Sequence, residues 1–243
     1  MKKDEVFKEP YTRPSDFKFN SKVAGVFDDM VNRSVPYYEE MQRMIAELAA
    51  DHCIEGTSIY DLGCSTGTTL VNMERTVPGN IPFVGVDDSR DMIEKCREKF
   101  IALDSGRNYE LVVADLNKEV PVKNASVVIL CLTLQFVRPM HRQRLLEQIS
   151  AGLDPNGVLI IVEKILAEDS GFNRDFIKYY YNMKRRHHYS EMEISQKREA
   201  LENVLIPYKL SENIALLKDV GFQNCEIFFK WYNFTGIIAK KAS

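Results

Sequence analysis

One stretch of the sequence, residues 57–67, constrains the fold more than any other. Thr57 to Leu62 is a run of β-favouring and apolar residues with the length of a buried parallel strand. Gly63 and Gly67 follow it, and glycine lets a backbone bend tightly because it carries no Cβ. A helix is predicted next, from about residue 68 to residue 75. Such a strand, turn and helix exposes backbone N–H groups at the positive end of a helix, which favours a nucleotide-like ligand.

The spacing of the turn excludes two common nucleotide-binding motifs. A phosphate-binding P-loop needs Lys and then Ser or Thr after its last glycine, whereas Gly67 is followed by Thr68 and Thr69. The dinucleotide fingerprint needs G-x-G-x-x-G, and here Gly63 and Gly67 are separated by three residues. The remaining pattern, D-x-G-x-x-x-G from Asp61, resembles the first motif of class I S-adenosylmethionine-dependent enzymes.

Strands and helices alternate along most of the 243 residues. Helices are predicted at 21–32 and 37–52, and a long polar, aromatic-rich helical region without strands runs from about 167 to 208. The predicted strands cover residues 57–62, 83–87, 109–114, 127–132, 158–163, 225–231 and 234–239. This order predicts an α/β fold with a doubly wound, mostly parallel seven-stranded sheet, ending in an antiparallel pair at one edge. We expect a single domain with an N-terminal helical arm (1–55), a Rossmann-like core (56–165 and 209–243) and a helical insertion (166–208).

Composition removes several classes of function. The formal net charge of −3 gives no global attraction to nucleic acid or to an anionic membrane. No apolar run reaches the ~18 residues of a membrane span. The five cysteines are scattered without a C-x-x-C pair and the histidines lack metal-ligand spacing, so we expect a cytoplasmic protein with reduced thiols and no metal. The run from Lys184 to His188 is interpreted as a solvated helix face, and a role in binding an anion is the less favoured alternative.

Acidic residues lie at or near the ends of the first three predicted strands, where ligands bind in a doubly wound sheet. Asp61 lies within the first, Asp87 ends the second and Asp115 ends the third. Asp87, with Asp88 beside it, suits paired hydrogen bonds to a ribose diol, and Asp115 can accept from an adenine amino group next to the N–H of Leu116. The alternative is that these aspartates only cap turns.

Cys131 ends the fourth predicted strand and should lie at the rim of the same pocket. No activating partner is visible for it in the sequence, so a packed small residue is favoured over a nucleophile.

Three stretches outside the shared sheet resemble the carboxy-S-adenosyl-L-methionine synthase family. The first is Val26-Phe27-Asp28-Asp29-Met30-x-x-Arg33-Ser34-Val35-Pro36-x-Tyr38. The second is Asn124-Ala125-Ser126 followed by Leu132-Thr133-Leu134-Gln135-Phe136. The third is Tyr189-Ser190-Glu191-x-Glu193-Ile194-Ser195-Gln196-Lys197-Arg198 with Leu201-Glu202-Asn203-Val204. The resemblance covers nearly the whole chain and implies a class I methyltransferase-like fold.

The resemblance also implies an activity and a set of residues. Members of the family join a carboxyl group from prephenate to the methyl carbon of S-adenosylmethionine, which releases phenylpyruvate. The product, carboxy-S-adenosylmethionine, serves a partner enzyme that modifies wobble uridine in tRNA, and the members are homodimers. By this resemblance Arg198 is the catalytic residue that holds the new carboxylate. The cofactor-binding positions implied are Tyr38, Gly63, Cys64, Ser65, Asp87, Asp88, Asp115, Leu116, Cys131 and Arg198.

Two further implications are specific to this chain. Prephenate is a dianion that needs additional cations or hydroxyl donors, and Arg33 and Tyr189 are the candidates. Cys131 stands where the family has an asparagine, and a thiol cannot replace the paired donor and acceptor of an amide.

Two other functions fit the same adenosyl site. An ordinary methyltransferase acting on a small acid would use Arg198 to bind the acceptor and would produce S-adenosylhomocysteine. A non-catalytic adenosyl-binding module that regulates a tRNA-modifying partner would bind the ligand without turnover.

Overall fold

The computed structural model describes residues 2–10 and 16–241. Within these ranges the strands form one seven-stranded sheet in the order β3-β2-β1-β4-β5-β7-β6. Strands β1 to β5 are parallel, and β7 runs antiparallel to both β5 and β6. The strands are β1 (Ser58–Leu62), β2 (Phe83–Asp87), β3 (Tyr109–Val113), β4 (Ala125–Cys131), β5 (Leu153–Lys164), β6 (Asn224–Trp231) and β7 (Phe234–Lys240).

Helices cover both faces of the sheet, as the predicted doubly wound fold requires. They are α1 (Ser21–Ala24), α2 (Phe27–Ser34), α3 (Tyr38–His52), α4 (Thr68–Met73), α5 (Arg90–Leu103), α6 (Pro139–Gly152), α7 (Ser170–Arg186), α8 (Glu191–Leu201) and α9 (Leu210–Asp219). Along β4, Val127 and Ile129 pack into the core shared with α3, α4 and α5. The alternate residues Val128 and Leu130 pack into the core shared with α6 and α9. This alternation follows from the two-residue period of a strand.

The fold class predicted from the sequence is confirmed, with one error near the N-terminus. The helix predicted over 21–32 is two helices, because the N–H of Val26 donates to Val23 O, three residues back, at 3.0 Å and Val26 leaves the helical conformation at φ −129°. Ser89 caps the N-terminus of α5, since its hydroxyl accepts the N–H of Met92 at 3.3 Å.

The region predicted to be helical before the last strands contains α7 and α8. Helix α8 begins with a capping box, in which the Ser190 hydroxyl accepts from Glu193 N and the Glu193 carboxylate accepts from Ser190 N. Both helices lie over the carboxyl ends of the parallel strands, where their side chains form one wall of the cavity described next. Among the described residues, no helix combines the length and the apolar character needed to cross a lipid bilayer.

Candidate active site

The glycine turn after β1 folds back against β2. The N–H groups of Gly63 and Cys64 both donate to Val86 O, at 2.7 and 3.0 Å. Gly63 has φ +79°, and a Cβ placed on it would lie 2.4 Å from Thr133 Oγ1, so only glycine fits without displacement. Ser65 also has a positive φ, of 52°. The turn is therefore fixed by tertiary contacts, with its backbone facing a cavity.

Asp87, the last residue of β2, holds this turn in place. Its Oδ2 accepts the N–H of Ser65 and its Oδ1 accepts the N–H of Ser89, both at 2.9 Å. Burial raises the pKa of Asp87 to about 6, although these two hydrogen bonds oppose the shift. Each carboxylate oxygen has a further lone pair, so Asp87 can still accept hydrogen bonds from a diol.

Helix α2 is anchored over the turn through Asp28. Its Oδ1 accepts from the hydroxyls of Thr66 and Thr68, at 2.6 and 3.0 Å. Lys99 of α5 pairs with the same carboxylate at 2.7 Å. The N-terminal helices therefore cover the turn. Asp28, which belongs to the first stretch that resembles the family, holds α2 in this position.

A cavity of about 800 Å³ lies along the carboxyl ends of β1 to β5, within the usual range of about 300 to 1,000 Å³ for small-molecule sites. Every cofactor-binding position implied by the resemblance lines it. These residues are Tyr38, Gly63, Cys64, Ser65, Asp87, Asp88, Asp115, Leu116, Cys131 and Arg198. The tertiary structure thus brings together side chains that are up to 160 residues apart in the sequence.

The end of the cavity near β2 and β3 is acidic. Asp88 and Asp115 lie there beside Asp87. Burial acts to raise the pKa of Asp115, but hydrogen bonds from Asn117 and the ammonium of Lys118 lower it overall. Asp115 is therefore an ionised acceptor, whose Oδ1 already binds the backbone and side-chain amides of Asn117 at 2.9 and 3.0 Å.

Asp61 differs from the other strand-end acids. It is buried, and neither carboxylate oxygen has a hydrogen-bond partner within the described ranges. Burial, with a smaller contribution from the charge of Asp87, raises the pKa of Asp61 to about 8. Asp61 is therefore protonated at neutral pH and adds no charge beneath the turn.

Cys131 lies at the cavity wall as a neutral thiol. Burial raises the pKa of the Cys131 thiol well above its usual value. Its Sγ accepts a long hydrogen bond of 3.6 Å from Gln42 Nε2, while Gln42 Oε1 has no partner among the described residues. These contacts support the interpretation of Cys131 as a packed residue. All five cysteines are free thiols.

Arg198 lies on α8 at the cavity wall, and its side chain is 60% exposed. Its nearest acidic partner is Glu199, at 4.0 Å. Within the described part of the chain the guanidinium makes no closer ion pair, so it can bind a carboxylate.

Arg33 and Tyr189, the two candidates for binding prephenate, do not line the cavity. The guanidinium of Arg33 donates to His187 O and His188 O at 3.0 and 3.2 Å, and stacks over the ring of Tyr189 at 4.1 Å. Tyr189 donates its hydroxyl to Asp4 at 2.7 Å. These contacts connect the N-terminal segment, α2 and the end of α7, so both side chains serve the fold.

The interpretation of 184–188 as a solvated helix face is wrong for Lys184, which is 5% exposed and lines the cavity. Two other lysines missed in the sequence, Lys164 and Lys197, line it as well. Lys164 could have been found, because it ends β5 and so follows the strand-end rule applied to the aspartates. Lys184 shares a helix face with Tyr180 at a spacing of four residues, which was a weaker signal.

The sheet order and the position of the cavity define a class I methyltransferase-like protein. A family model described as "Methyltransferase domain" matches residues 59–157. An O-methyltransferase family protein from Burkholderia thailandensis has the same fold, with a TM-score of 0.68 at 18% identity over 92% of this chain and 60% of that one. Human N-acetylserotonin methyltransferase in complex with SAM superposes with a TM-score of 0.62, at 15% identity over 92% of this chain and 56% of that one.

Full-length relatives then identify the family. A carboxy-S-adenosyl-L-methionine synthase from Methylococcus capsulatus is 53% identical over 99% of this chain and 100% of its own length. One from Helicobacter pylori is 45% identical over 98% of this chain and 99% of its own. The chain belongs to the carboxy-S-adenosyl-L-methionine synthase family, and it is an S-adenosylmethionine-dependent enzyme. The resemblance drawn from its motifs is confirmed.

Proposed function

We propose that this enzyme converts S-adenosylmethionine and prephenate to carboxy-S-adenosylmethionine and phenylpyruvate. The observation that carries the proposal is the charge distribution of one cavity in a member of this family. Acids lie after β2 and β3, beside the glycine turn, where a cationic sulfonium nucleoside would bind. Lys164 at the end of β5 and the cations of α7 and α8 line another part of the cavity. The product would be the carboxymethyl donor for wobble uridine in tRNA.

The adenosyl part of the substrate is assigned to the acidic end. Asp87, with Asp88, would accept from the ribose hydroxyls, and Asp115 would accept from the adenine amino group beside Leu116. The backbone of Gly63, Cys64 and Ser65 would lie against the methionine part, with Tyr38 and Cys131 on the opposite side. Strand-end position and cavity lining support this assignment.

The proposed reaction exchanges one carbon–carbon bond for another. The bond between the prephenate ring and its carboxyl group breaks, and the ring becomes aromatic as its hydroxyl leaves with the bonding electrons. The resulting hydroxide takes a proton from the sulfonium methyl group, which the positive sulfur makes acidic. The ylide carbon then bonds to carbon dioxide, so the products are carboxy-S-adenosylmethionine, phenylpyruvate and water. A cavity that excludes bulk water would keep the carbon dioxide near the ylide.

Arg198 is proposed to hold the new carboxylate, because a guanidinium binds carboxylate through two parallel hydrogen bonds and stays charged. Its loose ion pair with Glu199 supports this role. Arg198→Ala should abolish the carboxylated product and leave S-adenosylmethionine binding largely intact. Arg174→Ala, on the exposed face of α7, is the matched control. Loss of cofactor binding in Arg198→Ala would instead place Arg198 at the adenosyl group.

A homodimer is also proposed, with Arg198 close to the partner subunit. An exposed aromatic cluster supports an interface: Tyr232 lies 5.0 Å from Tyr179 and 5.3 Å from Phe176 between ring centroids, and Phe172 is 63% exposed next to them. Light scattering on the purified protein gives the mass directly. The net charge of −3 gives no general attraction to tRNA, so direct contact with tRNA is not proposed.

The function is tested by incubating the protein with S-adenosylmethionine and prephenate and analysing the small molecules by mass spectrometry. We expect a sulfonium heavier by one carbon dioxide, formed together with phenylpyruvate. S-adenosylhomocysteine and a methylated acid would indicate ordinary methyl transfer. Bound but unchanged S-adenosylmethionine would indicate a non-catalytic binding module.

A further inference from the structure

Three lysines from three different elements meet at the cavity wall opposite the adenosyl end. Lys164 ends β5, Lys184 lies in the last turn of α7 and Lys197 lies on α8. Lys184 and Lys197 are 5% and 6% exposed, and Lys164 is partly buried. Buried ammonium groups are costly unless they are paired, so their presence needs a reason.

The fold supplies little negative charge to these lysines. Within residues 2–10 and 16–241, no hydrogen-bond acceptor or carboxylate lies within bonding distance of Lys164 Nζ or Lys184 Nζ. Lys197 Nζ is 3.5 Å from the Ser34 hydroxyl and 3.9 Å from Asp4. Asp4 faces both Lys184 and Lys197, and it already accepts the Tyr189 hydroxyl.

Two of the three lysines lie against one aromatic ring of the cavity wall. Lys164 Nζ and Lys184 Nζ lie 5.0 and 4.7 Å from the centroid of the Tyr180 ring. Phe234 lies against the same ring at 5.4 Å, and both aromatics line the cavity. A ligand with an unsaturated ring and a carboxylate would match this combination of surfaces.

The position of this wall separates it from the adenosyl site. In the sheet order, β5 is two strands beyond β1, which carries the glycine turn, on the side away from β2 and β3. At about 4.8 Å per strand, Lys164 is therefore roughly 10 Å along the sheet from that turn. A second small molecule can bind beside the sulfonium without displacing the nucleoside.

Resting on the function proposed above, we propose that Lys164, Lys184 and Lys197 bind the carboxylate that the acid substrate retains in its product. The retained carboxylate is favoured over the departing one for an electrostatic reason. An ammonium held against the departing carboxylate would stabilise charge that must leave that group during bond cleavage, and so would oppose the reaction. An ammonium on the retained carboxylate binds the ground state and the transition state alike, and positions the ring.

Proton uptake should accompany binding at this site. Burial lowers the pKa of Lys164 and of Lys197 to about 8, and lowers the pKa of Lys184 well below its usual value. Lys184 is faced by Lys164, Lys197 and Asp4, and Lys197 by Asp4, Arg33 and Glu193. A bound carboxylate favours the charged ammonium, so acid affinity should fall as the pH rises above 8.

The test is steady-state kinetics of Lys184→Met and Lys164→Met with prephenate and S-adenosylmethionine. Lys178→Met, on the exposed face of α7, is the matched control. We expect KM for prephenate to rise at least tenfold in both lysine variants, with KM for S-adenosylmethionine within twofold of the parent. Phenylpyruvate should compete with prephenate, and its inhibition constant should rise by the same factor. Without ligand, Lys184→Met should melt no lower than the parent, because a buried amine without a hydrogen-bond partner among the described residues is replaced by an apolar side chain of similar length.

Calorimetry of prephenate binding at pH 8, in two buffers of different ionisation enthalpy, should show proton uptake that decreases in Lys184→Met. An unchanged KM for prephenate in both variants would overturn the proposal, as would phenylpyruvate that does not compete. A lower melting temperature together with a higher KM for both substrates would show that the lysines support the fold instead. If the parent protein forms no carboxylated sulfonium, the proposed function fails, and direct binding of phenylpyruvate to the parent and to Lys184→Met still decides whether the lysines bind a carboxylate.

Discussion

Replacing Gly63 with alanine should destabilise the protein through two separable effects. Gly63 has φ +79°, and holding alanine in a left-handed conformation costs about 1 to 2 kcal/mol. In addition, the new Cβ would lie 2.4 Å from Thr133 Oγ1 and 2.5 Å from Thr133 Cγ2. Overpacking of this kind costs a further amount of about 1 to 3 kcal/mol. The expected total loss is therefore about 2 to 5 kcal/mol.

Gly56 offers a matched control for the first effect. It has φ +80°, but a Cβ placed on it would meet nothing within 4 Å. It also precedes β1, at the amino ends of the parallel strands and therefore at the opposite end of the strands from the cavity. Gly56→Ala should therefore show the backbone cost alone, with unchanged affinity for S-adenosylmethionine, whereas Gly63→Ala should weaken that affinity because Thr133 and Gly63 both line the cavity.

Urea denaturation of both variants gives the comparison, and Thr133→Ala completes a double-mutant cycle. Combining Gly63→Ala with Thr133→Ala should recover most of the difference between the two glycine variants, because both clashing atoms are removed. Equal losses for Gly63→Ala and Gly56→Ala would refute the reasoning, since they would show that Thr133 moves away from the turn at no cost.

Three further predictions concern the cavity. Asp87→Asn should weaken S-adenosylmethionine binding more than tenfold and cost about 1 to 3 kcal/mol of stability, because an amide has only one acceptor oxygen for the N–H groups of Ser65 and Ser89. Calorimetry measures the binding, with Asp88→Asn as the control. A larger loss of affinity in Asp88→Asn would contradict the prediction. In the parent protein the affinity for S-adenosylmethionine should decrease when the pH is lowered below about 6, because Asp87 then becomes protonated. Cys131→Asn should keep or raise the affinity, since an amide can pair with the free Oε1 of Gln42; a loss would mean that the thiol is required. The pKa of Lys197 is about 8 in the folded state and about 10.5 when unfolded, so its buried charge destabilises the fold below pH 8 and this penalty disappears by pH 10.5. Lys197→Met should therefore raise the unfolding free energy relative to the parent at pH 7, and this gain should be smaller by about 3 kcal/mol at pH 10.5. A gain that does not change with pH would refute the lowered pKa of Lys197.

The sequence was sufficient for the sheet because strand and turn signals are local. The glycine turn, the strand-end aspartates and the spacing of apolar runs each depend on neighbouring residues, and together they predicted the fold class and the place of the cavity. The break between α1 and α2 was missed because the helical apolar period continues through Gly25 and Val26, while the hydrogen bonds that end α1 do not appear in the pattern.

The charged residues of the helices outside the sheet show where prediction from the sequence ends. Arg33 and Lys184 are both cations outside the sheet, yet Arg33 is used in backbone contacts and Lys184 is buried at the cavity. Only Tyr180, four residues before Lys184 on the same helix face, gives a weak signal that distinguishes them.

The sequence by itself determined the doubly wound sheet, the position of the cavity at the strand ends and the family. The tertiary structure alone decided which cations face the cavity and which serve the fold. The physical reason is that periodicity and turn chemistry act between residues close in the chain, whereas the burial of a charge depends on elements such as β5, α7 and α8 packing against one another.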